Sequence, residues 1–336
     1  MQDQPPKAQL LALVRGHRMT DMIAVAARLG IPDILARGAA DAQMIAAATD
    51  SHAATVYRLL RTLAAAGVLR EDDQGRFSLS AAGAYLASDH PESLAGWVTL
   101  LDRPTMREAW ANLDRSMRTG ENTFKALHGE DVWEWRRHEP EEEALFNRAM
   151  TSLSAGIGKA VASAFDFGGA SVVADIGGGS GSLLGAILGE YPHLRGILFD
   201  QPAVTAHPDE LERARVLDRC DVIGGSFFDG VPAGADVYVM KAILHDWEDA
   251  ESTAILRAIR AVIPADGTLL LVERVIGPPN EDLEGKLSDL HMLVMPGGRE
   301  RTADEWRVLL EAGGFSLDDI RSIPGTWQVV VGRPSG

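Results

Sequence analysis

Apolar residues in the first quarter of the chain recur at helical spacing. Between residues 7 and 29 they predict one long amphipathic helix, which Gly30 ends. A further helix is predicted over residues 53–66, with Ser51 as its N-cap and Gly67 after its last turn. We therefore expect the chain to open with helices.

Two short apolar runs, 68–70 and 76–79, are separated by turn residues and predict a β-hairpin. Helices followed by a hairpin are typical of a winged-helix-like unit. Many winged helices bind DNA, but residues 41–90 carry four arginines against six acidic side chains, so they lack the basic face that phosphate contact needs. We therefore predict a dimerisation domain over residues 1–100, followed by a helical linker and substrate-lining region over residues 101–168.

From residue 171 the pattern changes to apolar runs that alternate with helical stretches. This rhythm predicts βαβ units in a parallel sheet. We expect a Rossmann-like seven-stranded α/β domain over residues 169–336, with ligands outside the carboxyl ends of its strands. The predicted strands span residues 171–176, 196–200, 221–223, 236–240, 267–273, 316–323 and 326–332.

Composition narrows the class of protein. The chain has 336 residues, 46% of them hydrophobic, which is enough for two buried cores. Its formal net charge of −16 disfavours nucleic acid as a partner, and no apolar run approaches the roughly 18 residues of a membrane span. A single cysteine, Cys220, excludes an internal disulfide, and no Cys/His cluster has zinc-site spacing. We predict a cytoplasmic protein without a metal.

The first strand of the predicted sheet ends at Asp175 and runs into a glycine-rich turn. Four glycines fall within residues 177–181, and their missing Cβ atoms let a nucleotide-like ligand approach the backbone. A tight structural turn is the plainer alternative. The second strand ends at Asp200, whose carboxylate can accept both hydroxyls of a ribose. A dinucleotide fingerprint needs a third glycine where this chain has Ser182 or Leu184, so the pattern favours S-adenosylmethionine over NAD.

Four segments in the second half of the chain form an ordered set of motifs, namely DIGGGSG (175–181), FDQP (199–202), KAILHDW (241–247) and PGGRERT (296–302). Their order is that of class I methyltransferases. The chain resembles the plant caffeate-type and bacterial antibiotic-pathway small-molecule O-methyltransferases over nearly its whole length. The resemblance implies a homodimer held by the N-terminal domain and a small hydroxylated acceptor, aromatic or polyketide-like.

The resemblance also implies which side chains surround the cofactor. Similar enzymes usually have an aspartate where this chain has Ser226, which leaves the contact to the adenine amino group open. For Lys241, a strand-end lysine in solvent is the alternative. The implied cofactor residues are Gly177, Asp200 and Gln201, with Ser226 and Phe227 flanking the adenine and Lys241 nearby.

His245 follows the fourth strand, at the sheet edge where the cofactor is expected. A phenol has a pKa near 10, so its neutral hydroxyl is a weak nucleophile and a base is useful. The resemblance implies that His245 removes the acceptor proton while Glu273 and Glu300 hold the imidazole. The alternatives are a structural histidine and, for Glu300, a solvated carboxylate or a residue serving the helix that Thr302 and Glu305 cap.

The acceptor pocket has five candidate residues by family analogy: Phe146, Met150, Asp246, Met292 and Met295. Core packing is the alternative for the apolar four, and charge complementarity at a helix N-terminus for the aspartate. Two further functions remain open. One is a relative that methylates nitrogen or catalyses hydroxylation, decarboxylation or cyclisation, and the other is a winged-helix regulator that binds DNA. The presence of His245 favours methyl transfer.

Overall fold

The computed structural model describes residues 5–154 and 156–336. The first four residues of the predicted domain 1–100, and residue 155 of the predicted linker, lie outside the described residues. The chain forms two compact units, one of residues 1–108 with 136–153 and one of residues 109–135 with 154–336. Segments of the linker predicted over 101–168 therefore belong to both units.

Helices cover most of the chain before residue 165, which agrees with the helical region predicted over residues 101–168. In the described residues the α-helices are α1 (Pro6–Val14), α2 (Gly16–Arg28), α3 (Ile31–Ala36), α4 (Ala42–Ala48), α5 (Ala53–Ala65), α6 (Ala95–Leu101), α7 (Pro104–Ala111), α8 (Leu113–Thr119), α9 (Thr123–His128), α10 (Val132–His138), α11 (Pro140–Leu153), α12 (Ile157–Ala164), α13 (Ser182–Glu190), α14 (Pro202–Thr205), α15 (Asp209–Arg213), α16 (Asp249–Arg260), α17 (Leu283–Val294) and α18 (Ala303–Ala312).

Strands fall into a small N-terminal sheet, a large C-terminal sheet and one short pair. They are β1 (Ala40–Asp41), β2 (Leu69–Glu71), β3 (Arg76–Leu79), β4 (Val172–Ile176), β5 (Arg195–Asp200), β6 (Cys220–Gly224), β7 (Val237–Lys241), β8 (Thr268–Glu273), β9 (Val275–Ile276), β10 (Arg301–Thr302), β11 (Phe315–Ser322) and β12 (Gln328–Pro334).

The first unit contains the predicted winged-helix-like fold. Strands β2 and β3 form the antiparallel hairpin, and β1 pairs with the other side of β3. Ile31, Ile45, Leu60 and Phe77 are fully buried and join the helices to the hairpin in one core. Burial of such side chains contributes about 1.5–3 kcal/mol each, so this small core is what holds the unit together.

Two local predictions in this unit are wrong. The single helix expected over residues 7–29 is divided at Arg15, where α1 ends and α2 begins, since Gly16 is a poor helix former at that point. Ser51 does not cap α5. Its hydroxyl donates to the carbonyl of Thr49 (3.1 Å), and His52 takes the N-cap position without a side-chain bond to the helix backbone.

The second unit is built on the predicted seven-stranded sheet, with the order β11-β12-β8-β7-β4-β5-β6. The five strands from β8 to β6 are parallel, and β12 and β11 are antiparallel additions at one edge. Val173 faces a core with α12 and α13, whereas the next residue, Ala174, faces a core with α16 and α18. Both faces of the sheet are therefore covered, as a parallel sheet requires.

The carboxyl ends of the central strands meet along one edge of this sheet. The glycine turn follows β4, while Asp200, Lys241 and Glu273 are the last residues of β5, β7 and β8. The chain runs from β4 to one side and from β7 to the other, which makes the gap between them the topological switch point. In the described residues, none of the helices has the length and hydropathy needed to cross a bilayer.

Candidate active site

Backbone groups attach the glycine turn to the end of β5. The N–H of Gly177 donates to the carbonyl of Phe199 (2.7 Å), and the N–H of Gly179 donates to Asp200 Oδ2 (2.8 Å). Asp200 Oδ1 accepts the N–H of Gln201 (2.7 Å). Burial raises the pKa of Asp200, and these two N–H groups oppose that rise. The carboxylate is thus fixed in place at the sheet edge.

Packing within the protein already requires three of the four glycines. An added Cβ on Gly177, Gly178 or Gly181 would lie 2.5 Å from a neighbouring side-chain carbon. At Gly179 the space is open, and its φ of +60° is a conformation that favours glycine. The alternative of a structural turn therefore explains three glycines. Gly179 is the position that leaves an open side next to Asp200.

A buried carboxylate without a hydrogen-bond partner lies beneath this turn. Asp175 is 1% exposed, and within the described residues neither of its oxygens has a hydrogen-bond partner of ordinary geometry. The nearby backbone N–H of Leu184 still helps to lower its pKa. Burial raises the pKa of Asp175 to about 7, opposed by the positive charge of Lys241, whose own pKa burial lowers. Unpaired buried polar atoms are rare because they cost free energy. The site therefore has a place for a polar group of a ligand, and Lys241 is not the solvent-facing lysine of the alternative.

A strained turn after β7 places His245. Ala242 has a φ of +56°, which is costly for a residue with a Cβ and is compensated by surrounding contacts. The N–H groups of Ile243 and Leu244 both donate to Glu273 Oε1, at 3.1 and 2.9 Å. Glu273 therefore holds the turn from the neighbouring strand.

His245 is 6% exposed and faces three carboxylates. Its Nδ1 lies 3.2 Å from Glu300 Oε1 and 3.4 Å from Glu273 Oε2, while Nε2 lies 3.5 Å from Asp246 Oδ1. We assign the Nδ1 proton to the bond with Glu300, which leaves Nε2 as the proton acceptor. Burial lowers the pKa of His245, but the carboxylates outweigh burial and raise it to about 9.

Glu300 is a buried residue of this cluster, 2% exposed, so the alternative of a solvated carboxylate does not hold. Its Oε1 accepts the hydroxyl of Ser288 (2.7 Å), and its backbone N–H donates to Asp289 Oδ1 (3.0 Å). The predicted capping box of α18 is formed by Thr302 and Glu305. Glu300 is therefore not needed to cap this helix, and that alternative does not explain its position.

The two glutamates next to the imidazole have opposite pKa shifts. Burial raises the pKa of both, but at Glu300 the charge and hydrogen bond of His245 outweigh burial and the pKa falls below its usual value. At Glu273 burial prevails and the pKa is raised. Titratable groups whose pKa values are pushed apart are typical of acid–base sites. Glu300 is thus the ionised partner of the imidazole.

Sequence reasoning missed Arg301, which is 1% exposed. Its guanidinium donates to the carbonyls of Leu244 and Trp247, both at 3.0 Å, and to Asp249 Oδ1 at 2.8 Å. These bonds fix the loop on both sides of His245. The only available signal was its place next to Glu300 in the PGGRERT motif.

Two other residues of this region were also missed. Arg274 Nη1 lies 3.7 Å from Glu300 Oε1, and the Arg274 guanidinium lies 4.3 Å from the centre of the Trp327 ring. Lys241 Nζ is 5.7 Å from the same ring centre, and the His245 ring is 6.5 Å away. These contacts join segments far apart in sequence, so no local pattern could indicate them.

The loop after β6 carries the two residues expected beside the adenine. Ser226 Oγ accepts the N–H of Phe228 (3.3 Å), and the Phe227 ring packs edge-on against Trp247 with centres 6.0 Å apart. A cavity of about 430 Å³ is lined by Ser226 with Phe199 and Pro232, and not by Phe227. The loop therefore contacts the segment that carries the histidine, and the adenine contacts stay a prediction.

The structure places the predicted acceptor residues in both units. Met292 in α17 and Met295 at its C-cap are 8% and 3% exposed, and they share that helix with Ser288, the partner of Glu300. Phe146 and Met150 are in α11, which belongs to the first unit. The two methionines thus belong to the segment that also carries Ser288, and the acceptor role of all four apolar residues stays a prediction.

One His/carboxylate group in the described residues could donate to a metal ion. It consists of His245, Glu273 and Glu300, with donor atoms within 4.8 Å of one another. However, Glu273 Oε1 already accepts two backbone N–H groups, and Glu300 Oε1 accepts a hydroxyl and faces the positive charge of Arg274. This donor set suits a proton better than a divalent cation.

The switch point of this parallel sheet has the glycine turn and Asp200 on one side and a buried histidine among carboxylates on the other, an arrangement typical of enzymes that bind a nucleoside cofactor. Comparison with known families is more specific. Residues 110–316 match the O-methyltransferase domain, and residues 11–89 match the O-methyltransferase dimerisation domain. The chain belongs to this O-methyltransferase family and is a methyltransferase.

Relatives of known activity match almost end to end. The phenazine O-methyltransferase PhzM of Lysobacter antibioticus is 40% identical over 98% of this chain and 97% of its own length. The 8-amino-8-demethylriboflavin N,N-dimethyltransferase of Streptomyces davaonensis is 36% identical over 90% of this chain and 88% of its own length. The family therefore includes enzymes named for methylation of oxygen and of nitrogen.

Solved structures share the fold. The structure of LaPhzM matches with a TM-score of 0.93 and 39% identity, covering 98% of this chain and 100% of the other. NcsB1 from neocarzinostatin biosynthesis, in complex with S-adenosylmethionine and 2-hydroxy-5-methyl naphthoic acid, matches with a TM-score of 0.76 and 31% identity, covering 94% and 96%. These matches agree with the mixed α/β architecture and its N-terminal dimerisation domain.

Proposed function

We propose that this chain transfers a methyl group from S-adenosylmethionine to a hydroxyl of a small aromatic secondary metabolite, with His245 as the general base. The observation that carries the proposal is the buried His245–Glu300 hydrogen bond of 3.2 Å, which directs Nε2 away from Glu300 as the proton acceptor. The S-adenosylmethionine complex of the relative NcsB1 supports the choice of cofactor.

The cofactor residues follow from the observed turn. S-Adenosylmethionine supplies a methyl group on a sulfonium, whose departure as a neutral thioether makes it reactive. Asp200 would accept the ribose hydroxyls, and the unpartnered Asp175 would accept a donor of the methionine part. The remaining residues that would hold the cofactor are Gly177, Gln201, Ser226, Phe227 and Lys241.

The raised basicity of His245 suits a phenolic acceptor. Proton transfer from a group with a pKa near 10 to an imidazole with a pKa of about 9 is nearly balanced, whereas an ordinary imidazole would make it uphill by about 3.5 pKa units. Glu300 keeps the Nδ1 proton in place and balances the positive imidazolium. Asp246, beside Nε2, would contact the acceptor.

The aromatic class of the acceptor draws on the relatives, among them an enzyme named for phenazines and one bound to a naphthoic acid. Met292 and Met295 would pack on a flat ring through their flexible thioethers. For Phe146 and Met150 of α11, the acceptor role stays a prediction.

We also propose a homodimer formed by the N-terminal unit, consistent with its match to the dimerisation domain. Leu10, Leu13 and Val14 of α1 are each more than 60% exposed, which is unusual for aliphatic side chains clustered on one helix. The predicted cytoplasmic location, and the absence of nucleic-acid and membrane partners, stay predictions.

The proposal is tested with methyl-labelled cofactor and a panel of phenols, quinones and polyketides, followed by mass spectrometry. For His245→Ala we expect turnover to fall by about 10²–10⁴-fold, because the base is lost, with unchanged affinity for S-adenosylhomocysteine by calorimetry. The matched control is His207→Ala, an exposed histidine of the same unit. Unchanged turnover of the His245 variant would show that another group takes the proton.

Methylation of nitrogen is the second candidate, favoured by the 36% identical riboflavin N,N-dimethyltransferase. An acceptor pair that differs only in a hydroxyl or an amine on the same ring separates the two. Because a neutral amine is already nucleophilic, loss of His245 should affect the amine less than the phenol. Label appearing only in the amine product would establish the second candidate. Consumption of acceptor without label would indicate a non-methylating reaction.

Treatment with a chelator tests whether the reaction needs a metal ion. We expect full activity after exhaustive dialysis against EDTA, since His245 and its glutamates are assigned to proton transfer. Recovery of lost activity by one divalent ion would instead assign these residues as metal ligands.

A further inference from the structure

Arg274 occupies a defined position next to the proposed base. The parallel pair β9–β10 places Val275 opposite Arg301, so the preceding residues, Arg274 and Glu300, are neighbours across the pair. Arg274 Nη1 lies 3.7 Å from Glu300 Oε1. Its Nε donates to Thr326 Oγ1 at 3.3 Å.

The Trp327 ring restricts the guanidinium further. The ring centre is 4.3 Å from Arg274 Cζ, a distance typical of a stacked cation–π pair. The Arg274 side chain is 23% exposed, so water screens its charge only in part. Two neighbours thus hold Arg274 with its charge directed at Glu300.

Charges from several elements surround His245. Three carboxylates stand near the ring, and two cations nearby, Arg274 and Lys241, offset part of their negative charge. Removing Arg274 would enlarge the excess of negative charge and would favour the protonated imidazole. The charged groups nearest to His245 are Asp246 on its own loop, Lys241 at the end of β7, Glu273 and Arg274 at the end of β8, and Glu300 before β10. Two more are one contact further away: Asp289 of α17 accepts the backbone N–H of Glu300, and Arg301 donates to the carbonyl of Leu244.

We propose that Arg274 is a positioning residue that limits the proton affinity of His245 by sharing the charge of Glu300. The inference rests on the proposed function, since it concerns the same base. In this proposal Arg274 does not contact the acceptor. Arg274 acts through Glu300, and Thr326 and Trp327 keep it in position.

The sign of the effect follows from electrostatics. A positive charge near an imidazole disfavours its protonated form, so removing that charge raises its proton affinity. For two partly buried charges several ångströms apart, the change is on the order of one pH unit. In Arg274→Met the midpoint of His245 titration should move up by about one unit, and in Arg274→Lys by much less, because the charge is kept.

The first test is NMR titration of the ligand-free protein carrying ¹³C-labelled histidine. The chain has nine histidines, and the signal lost in His245→Gln assigns the one required. We expect the midpoint of that signal to lie about one unit higher in Arg274→Met than in wild type. Arg307→Met, which removes an exposed arginine paired with Asp304, is the matched control and should not shift it. An unshifted midpoint in Arg274→Met overturns the proposal.

The second test is the pH dependence of kcat/KM for the same variants. At neutral pH kcat/KM of Arg274→Met should be about tenfold lower than that of wild type. Above pH 10 the difference should disappear, because His245 is then deprotonated in both proteins. An equal deficit at every pH would mean a merely structural role and would overturn the proposal. Circular dichroism and S-adenosylhomocysteine affinity identify a misfolded variant, and Arg274→Gln then takes its place.

The two proposals fail differently. If wild type shows the basic titration and Arg274→Met does not move it, only the role of Arg274 is lost. If the NMR midpoint moves in Arg274→Met but kcat/KM in wild type does not depend on His245 titration, the base assignment fails, and Arg274 then affects the imidazole without affecting the reaction.

Discussion

The cofactor region and the reacting region occupy the same sheet edge but are built differently. The cofactor region is local, since the glycine turn and Asp200 lie within residues 175–201 and are joined mainly by backbone N–H groups. The reacting region gathers side chains from distant segments. His245, Glu273 and Glu300 meet only because β7, β8 and the segment before β10 are neighbours.

The two regions should respond differently to substitution of a single residue. A turn held by backbone bonds keeps its shape when one side chain changes, so its variants should alter binding. A cluster of buried charges depends on every member, because a partner left unpaired in a low dielectric is costly. Variants of the reacting region should therefore alter turnover, pH dependence and stability together.

Among the partners of His245, Glu300 should be the most sensitive to substitution, and Glu300→Gln tests this. The amide can no longer balance the imidazolium and can favour the wrong tautomer, so turnover should fall by about 10²–10³-fold. The affinity for S-adenosylhomocysteine, measured by calorimetry, should stay unchanged. The matched control is Glu311→Gln at an exposed position of α18. Weakened cofactor binding would contradict the separation of the two regions.

The second prediction concerns pH in wild type. The carboxylates raise the pKa of His245 to about 9, so the neutral, active imidazole gains tenfold per pH unit below that value and saturates above it. We therefore expect kcat/KM to rise by roughly 50-fold from pH 7 to pH 9 and then to level. An acceptor that does not itself ionise below pH 10 keeps the two titrations apart. A flat profile would show that proton removal does not limit the reaction.

Periodicity was a good guide to the large sheet. Each of the seven predicted strands exists, with ends displaced by at most two residues, because fully buried strands such as β8 read as unbroken apolar runs. The N-terminal helix shows the limit of the method. Apolar spacing continues across Arg15 and Gly16, and the break depends on the backbone rather than on hydrophobicity.

The two regions also differ in how much of each could be predicted from the sequence. The glycines and Asp200 form a local pattern, which was visible, although three of those glycines prove to be required by packing. Arg274 and Arg301 were not visible, because a charged residue at a strand end or in a polar loop cannot be told from a surface residue until its buried partner is known. Long-range pairing decides their role.

The third prediction returns to the cofactor region. Asp200→Asn removes an anionic acceptor that would take both ribose hydroxyls, so the Kd of S-adenosylhomocysteine should rise by about 10–100-fold. Turnover at saturating cofactor should change little, since the reacting residues are elsewhere. Asp209→Asn, at an exposed aspartate of α15, is the control for the loss of charge. Equal affinity in wild type and Asp200→Asn would mean that the ribose lies elsewhere.

The smallest expected effect separates packing from ligand contact within the glycine turn. In Gly178→Ala the new Cβ would lie 2.5 Å from Leu198 Cδ1 and 2.7 Å from Asp175 Cγ, so the ligand-free protein should lose about 1–3 kcal/mol in its free energy of unfolding. Gly189→Ala, in α13 with nothing within 4 Å of the added Cβ, should instead gain up to about 1 kcal/mol. Thermal unfolding without ligand measures both. If Gly178→Ala keeps its stability but loses cofactor affinity, contact with the ligand and not packing within the protein requires a glycine at this position.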